Sequence, residues 1–254
     1  MGRRFEPCSR SQNFMPLYDP RSDKPYKLSR SRIENFSKCK RCFYLEEKLG
    51  VKKPDSFPFN LNNAVDQLLK DEFDSYRGTE NNHPYLIESS IDAKPYDHPD
   101  IEIWRTRNQG IGIELKELNL YIYGLVDDVW INTKNDKLII ADYKATSKKG
   151  DVTIDAPWQI SYKRQIEIYQ WLFRQNGFDV DDMSYFVYCN GIKDSKVFDN
   201  CLNFEVKILP YKANDSWVTP ALKEIKNCLN SDELPEESDR CDYCAYNRKI
   251  KLFG

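Results

Sequence analysis

Apolar residues fall into short runs of two different periods, and the two most informative runs lie together: IYGLVDDVWI at 122–131 and LIIA at 138–141, separated by the polar NTKNDK. Runs of this length, rich in β-branched and aromatic residues and bounded by a turn, predict the two strands of a buried β-hairpin. The first carries Asp127 and Asp128 after Gly124, and the second leads directly into Asp142, Tyr143 and Lys144. Strand alternation sets Asp142 and Lys144 on one face and Tyr143 on the other, so an acid and an amine converge beside Asp127. Further strands are expected at 110–123, 183–189 and 202–209, with a turn at Asn190-Gly191 after the second and Pro210 ending the third.

Helical periodicity predicts four longer elements. Residues 28–50 have Ser29 or Ser31 as N-cap and Gly50 as the stop. Residues 61–77 carry a stripe of Leu61, Val65, Leu68, Leu69, Phe73 and Tyr76. Residues 158–176 place Gln165 and Tyr169 one turn apart on a shared face, and 216–230 form a closing helix. The turn-rich stretch 78–109 is expected to cover a cleft or carry substrate-facing loops; His83 and His98, each before a proline, receive no role. The pattern gives an α/β fold: a mixed, twisted sheet of four or five strands flanked by helices, with residues 28–254 forming one domain behind an irregular basic leader at 1–27.

Acids and an amine at the ends of buried strands need a physical reason, because an ionised group in a sheet centre costs several kcal/mol unless it is paired or bound to a metal. Carboxylates with a backbone carbonyl supply the hard oxygen ligands that Mg²⁺ or Mn²⁺ prefers, and Lys144 beside them can orient a water or offset charge on a phosphate. The polar and basic turn Thr146, Ser147, Lys148 and Lys149 suits a phosphate next to such a cation.

Composition narrows the class. Charged residues make up 31% of the 254, and mean hydropathy is −0.72, yet aromatic residues reach 13%, enough for a sizeable core. No apolar run approaches a membrane span and the N-terminus has no signal-peptide core, so a cytoplasmic location is expected. The net charge of −2 is uninformative, but residues 1–53 hold fourteen Lys/Arg against six Asp/Glu, a candidate backbone-phosphate surface.

The motifs G-x-V-D at 124–127, D-Y-K at 142–144 and Q-x-x-x-Y at 165–169, in this order, resemble the PD-(D/E)xK nuclease superfamily and its RecB-like branch. The resemblance implies a restriction-endonuclease-like core and a metal-dependent deoxyribonuclease, an exonuclease acting on single-stranded DNA or DNA ends. Asp127 and Asp142 would hold Mg²⁺ or Mn²⁺, Lys144 would act on water or phosphate, and Gln165 with Tyr169 would orient the substrate. Where many relatives have a histidine after A-V, this chain has Asp66, an alternative metal ligand. A non-catalytic nucleic-acid-binding module retaining the fold is the rival reading.

Two C-x-x-C pairs, Cys39 with Cys42 and Cys241 with Cys244, fit four thiolates around one metal centre that would clip regions about 200 residues apart. SRSRIENFSKCKRCFYL at 29–45 is similar to the entry segment of CRISPR-associated and AddB-type iron-sulfur nucleases, which implies a structural [4Fe-4S] cluster; the two-plus-two arrangement is also that of a zinc ribbon, so Zn²⁺ is the alternative. Cys8, Cys189, Cys201 and Cys228 are read as ordinary thiols.

Overall fold

A computed structural model of the chain describes residues 16–54, 60–107, 109–194 and 196–253. In chain order the elements are β1 (Tyr26–Ser29), α1 (Arg30–Lys38), α2 (Lys40–Glu47), α3 (Asn60–Asp74), α4 (Pro84–Glu88), β2 (Ala93–Pro95), α5 (Ile101–Arg105), β3 (Ile111–Leu115), β4 (Leu120–Gly124), β5 (Asp128–Asn132), β6 (Leu138–Thr146), α6 (Ile160–Gln175), β7 (Met183–Gly191), β8 (Phe204–Lys212), α7 (Val218–Asn230) and α8 (Asp242–Ile250). Among the described residues no helix is long and apolar enough to cross a membrane.

The strands form two sheets, one of order β1-β4-β3 and one of order β2-β5-β6-β7-β8. In the larger, β5 pairs antiparallel with β6, β6 runs parallel to β7, and β7 is antiparallel to β8, which makes the sheet mixed. Helix α6 packs against β3 and β4 of the small sheet and β6 of the large one, so it is buried on almost every side from Gln165 to Phe173. A helix in that position must partner its polar groups. Glu167 accepts from Tyr211 Oη at 2.5 Å and Trp217 Nε1 at 2.6 Å, and Gln170 donates to Ser184 Oγ at 2.8 Å. Helix α3 covers the opposite face of β6 with Val65, Leu69 and Phe73.

The four-cysteine appendage, the mixed sheet and the flanking helices follow the expected fold class, with local departures. The expected hairpin's first run breaks after Gly124: residues 122–124 belong to the small sheet and 128–131 to the large one, so Asp127 lies in the crossing between sheets. Residues 28–50 are not one helix; Cys39 is extended (φ −160°, ψ 105°) and separates α1 from α2, with Ser29 at the N-cap. Leu61 and Leu68 of the expected stripe are exposed, and only its i, i+4 row is buried. The Asn190-Gly191 turn is absent because β7 runs through both residues, and Pro210 lies within β8, an edge strand, where a missing N–H is tolerated. The stretch 78–109 forms α4, β2 and α5, and none of its described residues lines the cleft. Of the leader, Tyr18 and Tyr26 are core residues, and Cys8 lies outside the described residues.

Candidate active site and cysteine cluster

The parallel pairing of β6 with β7 and the end of β4 bring the motif residues to one cleft of about 520 Å³, lined by Arg30, Asp66, Asp127, Lys144, Tyr162 and Gln165 among others. Alternation along β6 holds as expected: Asp142 and Lys144 share a face, with the ammonium against Asp142 Oδ2, while Tyr143 points into the core under α3. Asp127 is fixed by the backbone of β6, its Oδ2 accepting from the Tyr143 N–H at 2.9 Å.

Asp142 is fully buried, and neither carboxylate oxygen receives an aligned hydrogen bond. Burial pushes its carboxyl up to about 7; Lys144 works against this, and the charge of the neighbouring Asp127 adds to it. Burial also disfavours the Lys144 ammonium, but Asp142 and Asp127 overcome this and raise its pKa, so it stays a cation. Two adjoining carboxylates, of which Asp142 has no aligned hydrogen bond and only the Lys144 ammonium against it, form a hard oxygen donor set. The residues fit a divalent cation.

Asp66 reaches the same cleft from α3. Its Oδ2 accepts from Lys70 Nζ at 2.7 Å, and that ammonium stands 3.7 Å from Asp127 Oδ1. Burial, then the charge of Asp127, raises the Asp66 carboxyl.

Gln165 and Tyr169 are both buried, and the Gln165 amide donates to the Tyr169 hydroxyl at 3.2 Å. That hydroxyl lies beside the Arg30 guanidinium, whose charge Tyr169, Asp142 and Glu34 favour against its burial. A Cβ on Gly124 would lie 2.6 Å from Tyr169 Cε1, so the glycine of G-x-V-D is the space the tyrosine ring occupies.

Arg30 and Tyr162 line the cleft and Lys70 stands beside its acids, yet none of them was singled out from the sequence; the Tyr162 ring centroid lies 4.8 Å from Lys144 Nζ. Arg30 had a signal. A cation in the first turn of a helix opposes the macrodipole, which argues for a fixed counter-charge. Lys70 had the i, i+4 spacing from Asp66. Asp128, which shares the DD pair with Asp127, is in contrast structural. It accepts from Arg77 (2.7 Å), Arg105 (2.6 Å), Trp130 Nε1 (2.9 Å) and the Tyr143 hydroxyl (2.8 Å), and the two guanidiniums keep its carboxyl low despite complete burial. A larger groove of about 1,010 Å³ runs beside Tyr18, Lys27 and Tyr121 and contains none of these cleft residues.

At the other end of α1, Cys39, Cys42, Cys241 and Cys244 gather with all four Sγ atoms within 4.8 Å of one another. The sequence pairing is thus realised in space, and the cluster is compatible with a bound metal. Cys189 is buried, Cys228 half-buried and Cys201 exposed, all outside it.

The sequence profile of the PD-(D/E)XK nuclease superfamily matches residues 61–248, and the chain belongs to that superfamily, whose members are generally nucleases. No curated protein matches the sequence. Among matching solved structures, one described as "Crystal structure of SSO0001" is 14% identical, covers 90% of this chain and 85% of its own, and superposes with a TM-score of 0.40.

Proposed function

We propose that the protein is a RecB-like deoxyribonuclease that hydrolyses phosphodiester bonds of single-stranded DNA or DNA ends with Mg²⁺ or Mn²⁺. The observation that carries this is the buried Asp142 carboxylate, paired only with the Lys144 ammonium and adjoining Asp127, at the wall of an open cleft. Asp127 and Asp142 would hold the cation, with Asp66 as a further ligand when Lys70 turns aside. When bound, a divalent ion supplies an activated water and charge compensation at the phosphate.

The chain's own groups divide the remaining work. The Tyr143 N–H holds Asp127 in place, and Lys144, protonated, meets the charge that builds on the phosphate. Arg30 presents N–H donors to a phosphate oxygen, while Tyr169 and Gln165 fix the guanidinium and the tyrosine ring fills the space left by Gly124. Two features favour unpaired bases. Trp158 is 63% exposed directly beside Tyr162, with the rings edge to face at 5.4 Å, and Tyr162 in turn adjoins Lys144. Such aromatics offer stacking surfaces for bases that a duplex keeps stacked on its own neighbours. A cytoplasmic setting suits the reduced thiols.

The test is cleavage of labelled single-stranded and duplex DNA in Mg²⁺ and in Mn²⁺ by the wild type and by Lys144→Ala. Metal-dependent loss of single strands by the wild type alone is expected. Binding without cleavage in either metal would instead mark a nucleic-acid-binding module that keeps the fold.

A further inference from the structure

We infer that the four-cysteine cluster holds a single tetrahedral zinc ion, in place of the iron-sulfur cluster implied by the resemblance to iron-sulfur nucleases. The argument is one of size. Four thiolates on one Zn²⁺, at Zn–S bonds of about 2.3 Å, span tetrahedral edges of about 3.8 Å. The observed Sγ–Sγ separations are 3.6 Å for Cys39 to Cys244, 3.5 Å for Cys42 to Cys241 and 3.9 Å for Cys42 to Cys244, and no pair exceeds 4.8 Å. In a [4Fe-4S] cube each thiolate binds a different iron, and those bonds radiate outward from separate corners. The sulfurs must then stand well beyond 4.8 Å from one another, with an inorganic cube filling the space between. Here the sulfurs touch one another and leave room for one ion.

The surroundings fit the same choice. Cys39 and Cys241 are the N-caps of α2 and α8, eight and nine residues long, so each C-x-x-C pair begins a helix. The Cys42 N–H points at Cys39 Sγ at 3.4 Å. That backbone donor and the two positive helix ends at the thiolates offset the net charge of −2 that four thiolates leave around Zn²⁺. All four ligands come from the protein and three of them are buried, the closed coordination of a structural rather than a catalytic ion.

The position also gives the ion a consequence for the cleft. Cys39 ends α1, and Arg30 begins it. A helix of nine residues spans about 13 Å, so the ion anchors one end of the element whose other end carries Arg30.

The experiment measures metal and labile sulfide in full-length protein purified anaerobically from cells supplied with both iron and zinc. The expected result is one zinc per chain, no labile sulfide and no visible absorbance. Replacement by Co²⁺ should give the intense visible bands of a tetrahedral cobalt thiolate. Chelation should lower Tm, and zinc, but not iron with sulfide, should restore it. Cys39→Ser and Cys241→Ser should each lower both zinc content and Tm, and Cys201→Ser neither. Labile sulfide with about four irons per chain, or a Tm indifferent to chelation and to both cluster substitutions, would overturn the inference. These readings do not depend on cleavage, so an inactive protein would refute the proposed function while leaving the zinc assignment to be judged by its own results.

Discussion

Gly124→Ala is a one-carbon perturbation whose effect follows from opposing magnitudes. The added Cβ would lie 2.6 Å from Tyr169 Cε1, 3.0 Å from Cδ1 and 3.3 Å from Leu172 Cδ1. Gly124 is extended strand, so alanine fits the backbone and alone would stabilise by about 0.4–1 kcal/mol through the unfolded chain. The clash is with a buried ring whose hydroxyl is held by Gln165, and forcing a methyl into such packing costs about 1–3 kcal/mol. The net expectation is a loss of about 1–2 kcal/mol by urea unfolding. Cleavage should fall further than this stability loss explains, because the ring cannot shift without moving the hydroxyl beside Arg30. Adding Tyr169→Leu, which removes the ring, should recover stability but not cleavage, giving a coupling between the two positions that a double-mutant cycle reads directly. A Gly124→Ala protein of undiminished stability and full activity would refute both the steric argument and the positioning role of Tyr169.

Arg30→Ala should reduce cleavage roughly 100-fold, the scale of removing one preorganised donor from a developing charge, with Arg30→Lys recovering part of it; equal activity in all three proteins would remove Arg30 from the site. Asp142→Asn should abolish cleavage yet raise the Tm measured in chelator. The native Asp142 carboxyl, pushed up to about 7, retains a proton that the unfolded chain has released, so its burial costs stability increasingly as pH rises from about 4 to 7, and asparagine removes that slope. His83 works in the opposite direction. It is buried and stacked on Phe73 at 3.8 Å, and burial lowers its pKa to about 4. The unfolded chain therefore binds the extra proton between about pH 6.5 and 4, and the wild type should lose up to about 3 kcal/mol relative to His83→Phe as pH falls through that window. Parallel stability curves for those two proteins would count against a neutral buried imidazole.

The sequence by itself determined the elements that repeat a local period and the chemistry attached to them. The β5–β6 hairpin, the face shared by Asp142 and Lys144, the face shared by Gln165 and Tyr169, and the two thiol pairs were all legible, because spacing of two, three or four residues fixes which side chains lie together within one element. Tertiary structure decided the rest. The apolar run 122–131 reads as one strand, and only the requirement to bury both faces of α6 divides it between two sheets and leaves Asp127 at the crossing. Asp127 and Asp128 are indistinguishable in sequence, yet one faces the cleft and the other is clamped by Arg77 and Arg105 from outside the hairpin. The meeting of Arg30 with Tyr169, and the gathering of the two thiol pairs into one cluster, join residues more than 100 positions apart. No local period carries that information, because such contacts are set by how the helices and sheets pack after each has formed.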